Sequence, residues 1–122
     1  MALDDYWSKV YHDTNYNCSH FVRDLWLELK GVDIGELVGA WNSGNLGQAM
    51  ARRDDLERLE APTLHEPCIA MCSTPGDPPH VGVVFDGRSM FHMTPDGPKV
   101  HTLSYLKTCY PQIKYYLCQP KS

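Results

Sequence analysis

The chain has 122 residues, 43% of them hydrophobic, and a formal net charge of −4. This length suits one domain with a single core, and the acidic charge, without any run of Lys or Arg, argues against nucleic acid as the main partner. The apolar stretches are too short to predict a membrane span. The N-terminus, Met-Ala-Leu-Asp-Asp-Tyr-Trp, lacks the basic and apolar regions of a Sec signal peptide, so we expect a protein that is made in the cytoplasm.

The cysteines are odd in number, and none of them forms a Cys-x-x-Cys motif. They are Cys18, Cys68, Cys72, Cys109 and Cys118. Without an export signal, this pattern predicts reduced thiols rather than a disulfide framework. The pair at Cys68 and Cys72 is the one candidate for zinc, but with His65 or His80 added its spacing still fits no standard zinc motif. We therefore expect neither a metal nor a cofactor.

Apolar spacing predicts helices in the first part of the chain. Apolar residues at positions 3, 6, 7 and 10 predict a short amphipathic helix over residues 3–11. A second set of apolar residues lies three, four, seven, eight and eleven positions after Cys18 and predicts a helix that begins at this cysteine. Gly31 stands where such a helix usually has its C-cap. Residues 33–53 mix helical patches with glycines and predict two short helices and a loop, the second burying Leu46, Ala49 and Met50.

The second part of the chain reads as an antiparallel meander. Apolar runs predict strands at 68–72, 81–85, 89–93, 100–102 and 114–117, with a helical turn at 103–107 and a tight hairpin at Asp86-Gly87. Helices followed by such a meander predict an α+β domain in which N-terminal helices pack on a sheet of about five strands. We expect one domain over 1–122, with a helical part at 1–55 and a sheet part at 56–120.

Cys18 is the first candidate for chemistry, because it lies in the first turn of a predicted helix. Helix starts present backbone N–H groups and the positive end of the helix dipole, and both favour the thiolate form of a cysteine. A buried cysteine at the base of a packed helix is the alternative interpretation. A thiol nucleophile needs a base within hydrogen-bond reach and a third polar group to orient that base.

Two histidines around the predicted hairpin could fill these roles. His80 opens the strongest predicted strand and His92 follows twelve residues later, an even separation that suits side chains on one sheet face. His101 is an alternative to His92 as the orienting group. We interpret His12, His20 and His65 as ordinary structural or surface residues.

These motifs, taken in order, resemble a known family. Asn-Cys-Ser-x-Phe-Val, then His-Val-Gly-Val-Val, then Phe-His one hairpin later is similar to the NlpC-type papain-like cysteine peptidases, particularly the small single-domain forms of phage tail-assembly and prophage regions. The resemblance covers nearly the whole chain and implies the papain-like NlpC-type fold. By matching positions it implies Cys18 as nucleophile, His80 as base and His92 as the third polar residue of a Cys-His-His triad.

The resemblance also implies a substrate and an oxyanion site. It implies hydrolysis of an amide next to a D-amino acid in peptidoglycan stem peptides, with phage tail proteins as candidate partners. The absence of an export signal fits an enzyme that a tail, a holin or a secretion device delivers to the cell wall, or one that stays in the cytoplasm. Asn17 and Ser19, which flank the nucleophile in the motif, are candidates for the oxyanion or substrate-binding site. The family places a tyrosine near the oxyanion, for which Tyr11 is preferred over Tyr6 and Tyr16.

The sequence also departs from the family pattern and leaves other functions open. The family usually has Asp-Cys-Ser-Gly, whereas this chain has Asn17 and His20 at the outer positions. Asn-Cys-x-His-Phe-Val is also similar to lipid acyltransferases related to lecithin:retinol acyltransferase, but those place their histidine before the cysteine. An acyl-transfer or deamidating enzyme acting on a protein or lipid with the same Cys/His pair is one alternative. A catalytically silent phage structural or inhibitor protein is another.

Overall fold

A computed structural model describes residues 3–13, 16–35, 53 and 55–121 of the chain. Its elements in chain order are a 3₁₀ helix (Leu3–Ser8), α1 (Cys18–Lys30), β1 (Leu56–Glu60), β2 (Cys68–Ser73), β3 (His80–Val84), β4 (Ser89–Thr94), β5 (Gly97–Thr102), α2 (Leu103–Cys109) and β6 (Gln112–Pro120). The strands form one antiparallel sheet in the order β1-β6-β2-β3-β4-β5. The α+β architecture predicted from the sequence is confirmed in this coarse form.

Helix α1 begins and ends where the sequence predicted, and both ends are capped. Asn17 is the N-cap and its side-chain oxygen accepts a hydrogen bond from the Ser19 backbone N–H at 3.0 Å. Gly31 ends the helix with φ 67°, a left-handed conformation that glycine adopts without steric cost, and its N–H donates to the carbonyl of Leu27.

Two apolar clusters occupy opposite faces of the sheet. Successive side chains of a strand point to opposite faces, so Ile69 packs under α1 while its neighbours Cys68 and Ala70 pack in the cluster that includes α2. The larger cluster holds the buried face of α1, where the Trp26 indole also donates a 2.8 Å hydrogen bond to the carbonyl of Cys118 on β6. The smaller cluster is completed by Leu103 and Leu106 of α2.

Several sequence predictions need correction. The sheet has six strands rather than about five, because Leu56–Glu60 pairs with β6 as an edge strand. The N-terminal segment forms a 3₁₀ helix over Leu3–Ser8 instead of a helix over 3–11, and Trp7 and Val10 are exposed. The second helix after Asp33, with Leu46, Ala49 and Met50, lies outside the described residues.

The structure also bears on the question of a membrane span. Within the described ranges, no helix is both long enough and apolar enough to cross a membrane.

Candidate active site

A surface cavity of about 430 Å³ brings the predicted nucleophile and base together. Cys18, His80, Tyr11 and Asn17 all line it, and all four were candidate site residues in the sequence. The remaining lining residues are Asp13, Pro78, Pro79, Met93 and Pro95. Sixty-two positions separate the cysteine from the histidine in the chain, so the packing of α1 against β3 creates their proximity.

The start of α1 is built to hold Cys18 in the first helical turn. Asn17 caps the helix, and its own backbone N–H donates to Nδ1 of His20 at 3.1 Å, which completes a capping box. Burial, and then the charge of Arg23, lowers the pKa of His20, so its ring stays neutral and can accept this bond. His20 therefore has a structural role at the position where the family pattern has glycine.

His80 and His92 lie side by side, as the even spacing around the hairpin predicted. Nε2 of His80 and Nδ1 of His92 are 2.7 Å apart, a hydrogen-bonding distance, and the rings meet edge to face. On its other flank the His80 ring stacks on Tyr110, with centroids 6.1 Å apart. His80 Nε2 is thus engaged by His92, and Nδ1 is the ring nitrogen left for a reaction partner.

Burial keeps both rings neutral. It lowers the pKa of His80 to about 4. Burial, reinforced by the neighbouring His80 and His101 rings, lowers the pKa of His92 to about 3. At neutral pH His80 therefore carries a lone pair, which is the form that a general base requires.

Gly82 provides the space in which His92 sits. A Cβ at this position would lie 2.6 Å from Cγ of Met90 and 2.9 Å from Cβ of His92. Both distances are shorter than real carbon atoms tolerate. The His-Val-Gly motif therefore needs a glycine at this position, because side chains of β4 lie too close to leave room for a Cβ.

His101 extends the pair to three rings. Its Nδ1 lies 2.8 Å from Nε2 of His92, and its ring contacts Tyr105 with centroids 4.9 Å apart. The sequence treated His101 as an alternative to His92, whereas the structure places His92 next to His80 and His101 behind His92. Both ring nitrogens of His92 are therefore hydrogen-bonded to other histidines.

The three candidate tyrosines differ in where their hydroxyls go. Tyr6 donates to the backbone carbonyl of Asp24 at 3.1 Å and Tyr16 donates to the Asp24 carboxylate at 2.7 Å. Burial, and then the Asp24 hydrogen bond, raises the pKa of Tyr16 strongly, which marks it as a structural hydroxyl. Tyr11, the candidate preferred for the oxyanion site, lines the cavity.

Ser19 differs from the other predicted residues. It is 1% exposed and does not line the cavity, and its Oγ has no hydrogen-bond partner among the described residues. Its contribution at the helix start is the backbone N–H that Asn17 accepts.

Three of the other cysteines are chemically unlike a nucleophile. Burial raises the pKa of Cys68 to about 11, of Cys72 to about 12 and of Cys118 to about 11. Their thiols stay protonated at neutral pH and are inert packing residues. Cys109 is exposed and therefore serves as an internal reference for an accessible thiol. In the part of the chain that the structure describes, no three His, Cys, Asp or Glu residues are grouped to hold a metal ion.

Sequence reasoning missed part of the cavity wall. Pro78 and Pro79 directly precede His80, and this proximity was the one available signal for them. Met93 and Pro95 reach the wall through the course of β4 and its turn, and Tyr110 reaches His80 from the end of α2. No sequence pattern indicated these contacts.

Comparison with known proteins gives no relative from which to transfer a function. No family model matches the chain, and no curated protein or solved structure matches it either. What this chain does is therefore inferred from the geometry of its site and from its sequence motifs.

Proposed function

We propose that this protein is a papain-like cysteine hydrolase that cleaves an amide bond in bacterial peptidoglycan stem peptides. One observation carries the proposal: Cys18 and His80 line the same cavity, and the ring of His80 is held at 2.7 Å by His92. A thiol, a neutral imidazole and a group that orients this imidazole are the three parts that nucleophilic catalysis by cysteine needs. The substrate class rests on the resemblance of the Cys-Ser and His-Val-Gly motifs to NlpC-type peptidases.

The proposed acylation step uses the cavity residues in defined roles. Nδ1 of His80 takes the thiol proton, and the Cys18 sulfur attacks the carbonyl carbon of the scissile amide. The backbone N–H of Cys18, the first residue of α1, and the hydroxyl of Tyr11, which lines the cavity, donate to the oxyanion. The tetrahedral intermediate then collapses, His80 returns the proton to the leaving nitrogen, and an amine and a thioester result.

Deacylation uses the same base a second time. His80 removes a proton from water, the resulting hydroxide attacks the thioester carbonyl, and the carboxylic acid and the Cys18 thiol are released. His92 holds the His80 ring in one orientation through both steps. The cavity of about 430 Å³ is in the usual range for a small-molecule or peptide site.

Turnover of a defined stem peptide tests the reaction. The full chain is incubated with a tetrapeptide that contains γ-D-glutamyl-diaminopimelate, and the products are followed by mass spectrometry. We expect cleavage by the wild type and by Cys109→Ala, and none by Cys18→Ala, with all three proteins showing the same thermal unfolding. Cleavage that persists in Cys18→Ala would contradict the proposed nucleophile.

Alkylation kinetics test the nucleophile without any substrate. Iodoacetamide labelling is followed separately at each of the five cysteines as a function of pH. Cys18 is only 9% exposed and Cys109 is exposed, so faster labelling of Cys18 requires activation rather than access. We expect Cys18 to react fastest and to slow in His80→Ala. A reactive Cys18 without stem-peptide turnover would point to the acyl-transfer alternative, and an unreactive Cys18 would refute the hydrolase.

A further inference from the structure

Three histidine rings form one continuous hydrogen-bonded row across three neighbouring strands. His80 on β3, His92 on β4 and His101 on β5 are joined Nε2 to Nδ1 at 2.7 Å and again Nε2 to Nδ1 at 2.8 Å. In the β4–β5 register His92 is opposite Lys99, so His101 is its diagonal neighbour. The row begins at the cavity and ends at a half-buried ring beside the exposed Tyr105.

The repeated Nε2-to-Nδ1 order links the proton positions of the three rings. A neutral imidazole has one N–H donor and one acceptor nitrogen. If His80 accepts a proton at Nδ1, its own hydrogen is on Nε2 and is donated to Nδ1 of His92. The hydrogen of His92 is then on Nε2, and Nδ1 of His101 must accept it.

The opposite proton order would disable the base. Both hydrogen bonds could also form with every hydrogen on Nδ1, but His80 would then present a donor to the cavity instead of a lone pair. His92 is 4% exposed, so a hydrogen on its Nε2 needs a protein acceptor. The nitrogen within reach of that hydrogen is Nδ1 of His101. An uncharged histidine also prefers to carry its hydrogen on Nε2, which leaves Nδ1 of His101 open to accept.

We propose that His101 is a positioning residue that selects the catalytically competent tautomers of His92 and His80. Its Nδ1 accepts from Nε2–H of His92, and this bond leaves Nδ1 of His80 unprotonated at the cavity. The inference rests on the proposed function for its catalytic meaning, but the tautomers themselves exist whether or not the chain cleaves a stem peptide. The functional unit is therefore a row of Cys18 and three histidines rather than a triad.

Two substitutions of matched purpose separate this role from simple packing. His101→Asn places an amide oxygen near the position of Nδ1 and keeps an acceptor for His92. His101→Leu fills the space beside Tyr105 but has no acceptor. A purely structural role of the ring would make the two variants alike, whereas the positioning role makes them differ.

The direct readout is the protonation of each ring nitrogen. Full-length protein labelled with ¹⁵N-histidine is examined by long-range ¹H–¹⁵N NMR at neutral pH, with assignments from single-histidine variants. We expect Nε2–H forms of His80 and His92 in the wild type and in His101→Asn, and a substantial Nδ1–H population in His101→Leu. Nδ1–H forms in the wild type, or unchanged tautomers in His101→Leu, would overturn the inference without bearing on turnover.

The kinetic readout uses the same pair of variants. We expect His101→Leu to lower kcat for the stem peptide, and the alkylation rate of Cys18, by about tenfold at unchanged KM, as for one misplaced hydrogen bond. His101→Asn should stay within about threefold of the wild type, since its acceptor is retained. Equal losses in both variants, or no loss in either, would overturn the inference. A wild type without turnover would refute the proposed function, while the NMR result would still decide the tautomers.

Discussion

The two faces of the sheet are used differently. The face under α1 buries the largest side chains of the described core, among them Trp26, Phe21 and Leu25. The opposite face carries a smaller cluster with only Leu103 and Leu106 contributed by α2. His92 belongs to this second face, because it alternates along β4 in step with Met90.

This difference places the larger apolar cluster and the three histidines on opposite faces of the sheet. Apolar area buried under α1 supplies the larger share of the hydrophobic driving force. The second face can hold neutral polar rings, because His80, His92 and His101 satisfy one another by hydrogen bonds. Cys18 begins the helix on the first face and His80 begins a strand at the same end of the sheet, so the cavity forms where the two faces meet.

On the face of the sheet that carries the three histidines, the largest loss of activity is expected when the base is removed. His80→Ala removes the proton acceptor and should lower turnover by about 10²–10⁴-fold. His92→Ala leaves the base present but poorly oriented and should cost less. Steady-state kinetics on the stem peptide measure both, with thermal unfolding to confirm folded proteins. A larger loss for His101→Ala than for His92→Ala would show that the third residue is misassigned.

The stability side of the comparison can be tested with a matched pair of leucines. Leu25→Ala opens a cavity in the large cluster and should cost about 3–5 kcal/mol in the free energy of unfolding, whereas Leu106→Ala should cost nearer 2 kcal/mol. Both side chains are buried, so the comparison isolates the two faces. Urea unfolding measures the difference. Equal costs would mean that the faces contribute alike.

Gly82→Ala should disturb only the face of the sheet that carries the three histidines, and so tests the two faces separately. The added Cβ would press on Met90 and His92, and such overpacking typically costs about 1–3 kcal/mol. We expect a lower urea midpoint together with loss of the His80–His92 bond, visible in the ¹⁵N-histidine spectrum. Gly76→Ala is the control for destabilisation without contact with these rings: its φ of +87° strains an alanine and lowers the urea midpoint, but its Cβ meets nothing within 4 Å, so the histidine spectrum should stay unchanged. An unchanged histidine spectrum in Gly82→Ala would contradict the steric argument.

The neutral histidines of this face should also make the stability depend on pH. An unfolded histidine binds a proton near pH 6.5, whereas burial lowers the pKa of His80 to about 4. Between these values the unfolded chain binds more protons, so the stability present above about pH 6.5 is lost as the pH falls toward 4. Urea midpoints at pH 7.5 and pH 5 measure this loss. It should shrink in His80→Gln/His92→Gln but persist in His65→Gln, where the ring is exposed.

Local signals were enough for the elements that frame the site. The bounds of α1 followed from a capping residue, an apolar stripe and a glycine, all within one short segment. The even step from His80 to His92 predicted two rings on one face of the sheet, and the register with Val84 opposite Met90 produces this arrangement. The tight hairpin predicted at Asp86-Gly87 is wrong, because a two-residue turn there would pair Val84 with Ser89 and place the two rings on opposite faces. The edge strand Leu56–Glu60 was missed because only Leu56 is buried and the remaining positions are largely charged.

The sequence by itself determined the start of α1, the strong strands and the residue types able to do thiol chemistry, because each depends on neighbours a few positions away. Only the tertiary structure decided that Cys18 and His80 share a cavity, that Tyr11 rather than Tyr6 or Tyr16 lines it, and that His101 stands behind His92. These facts depend on strand register and on how α1 lies on the sheet. Both are set by long-range packing, which leaves no local pattern in the chain.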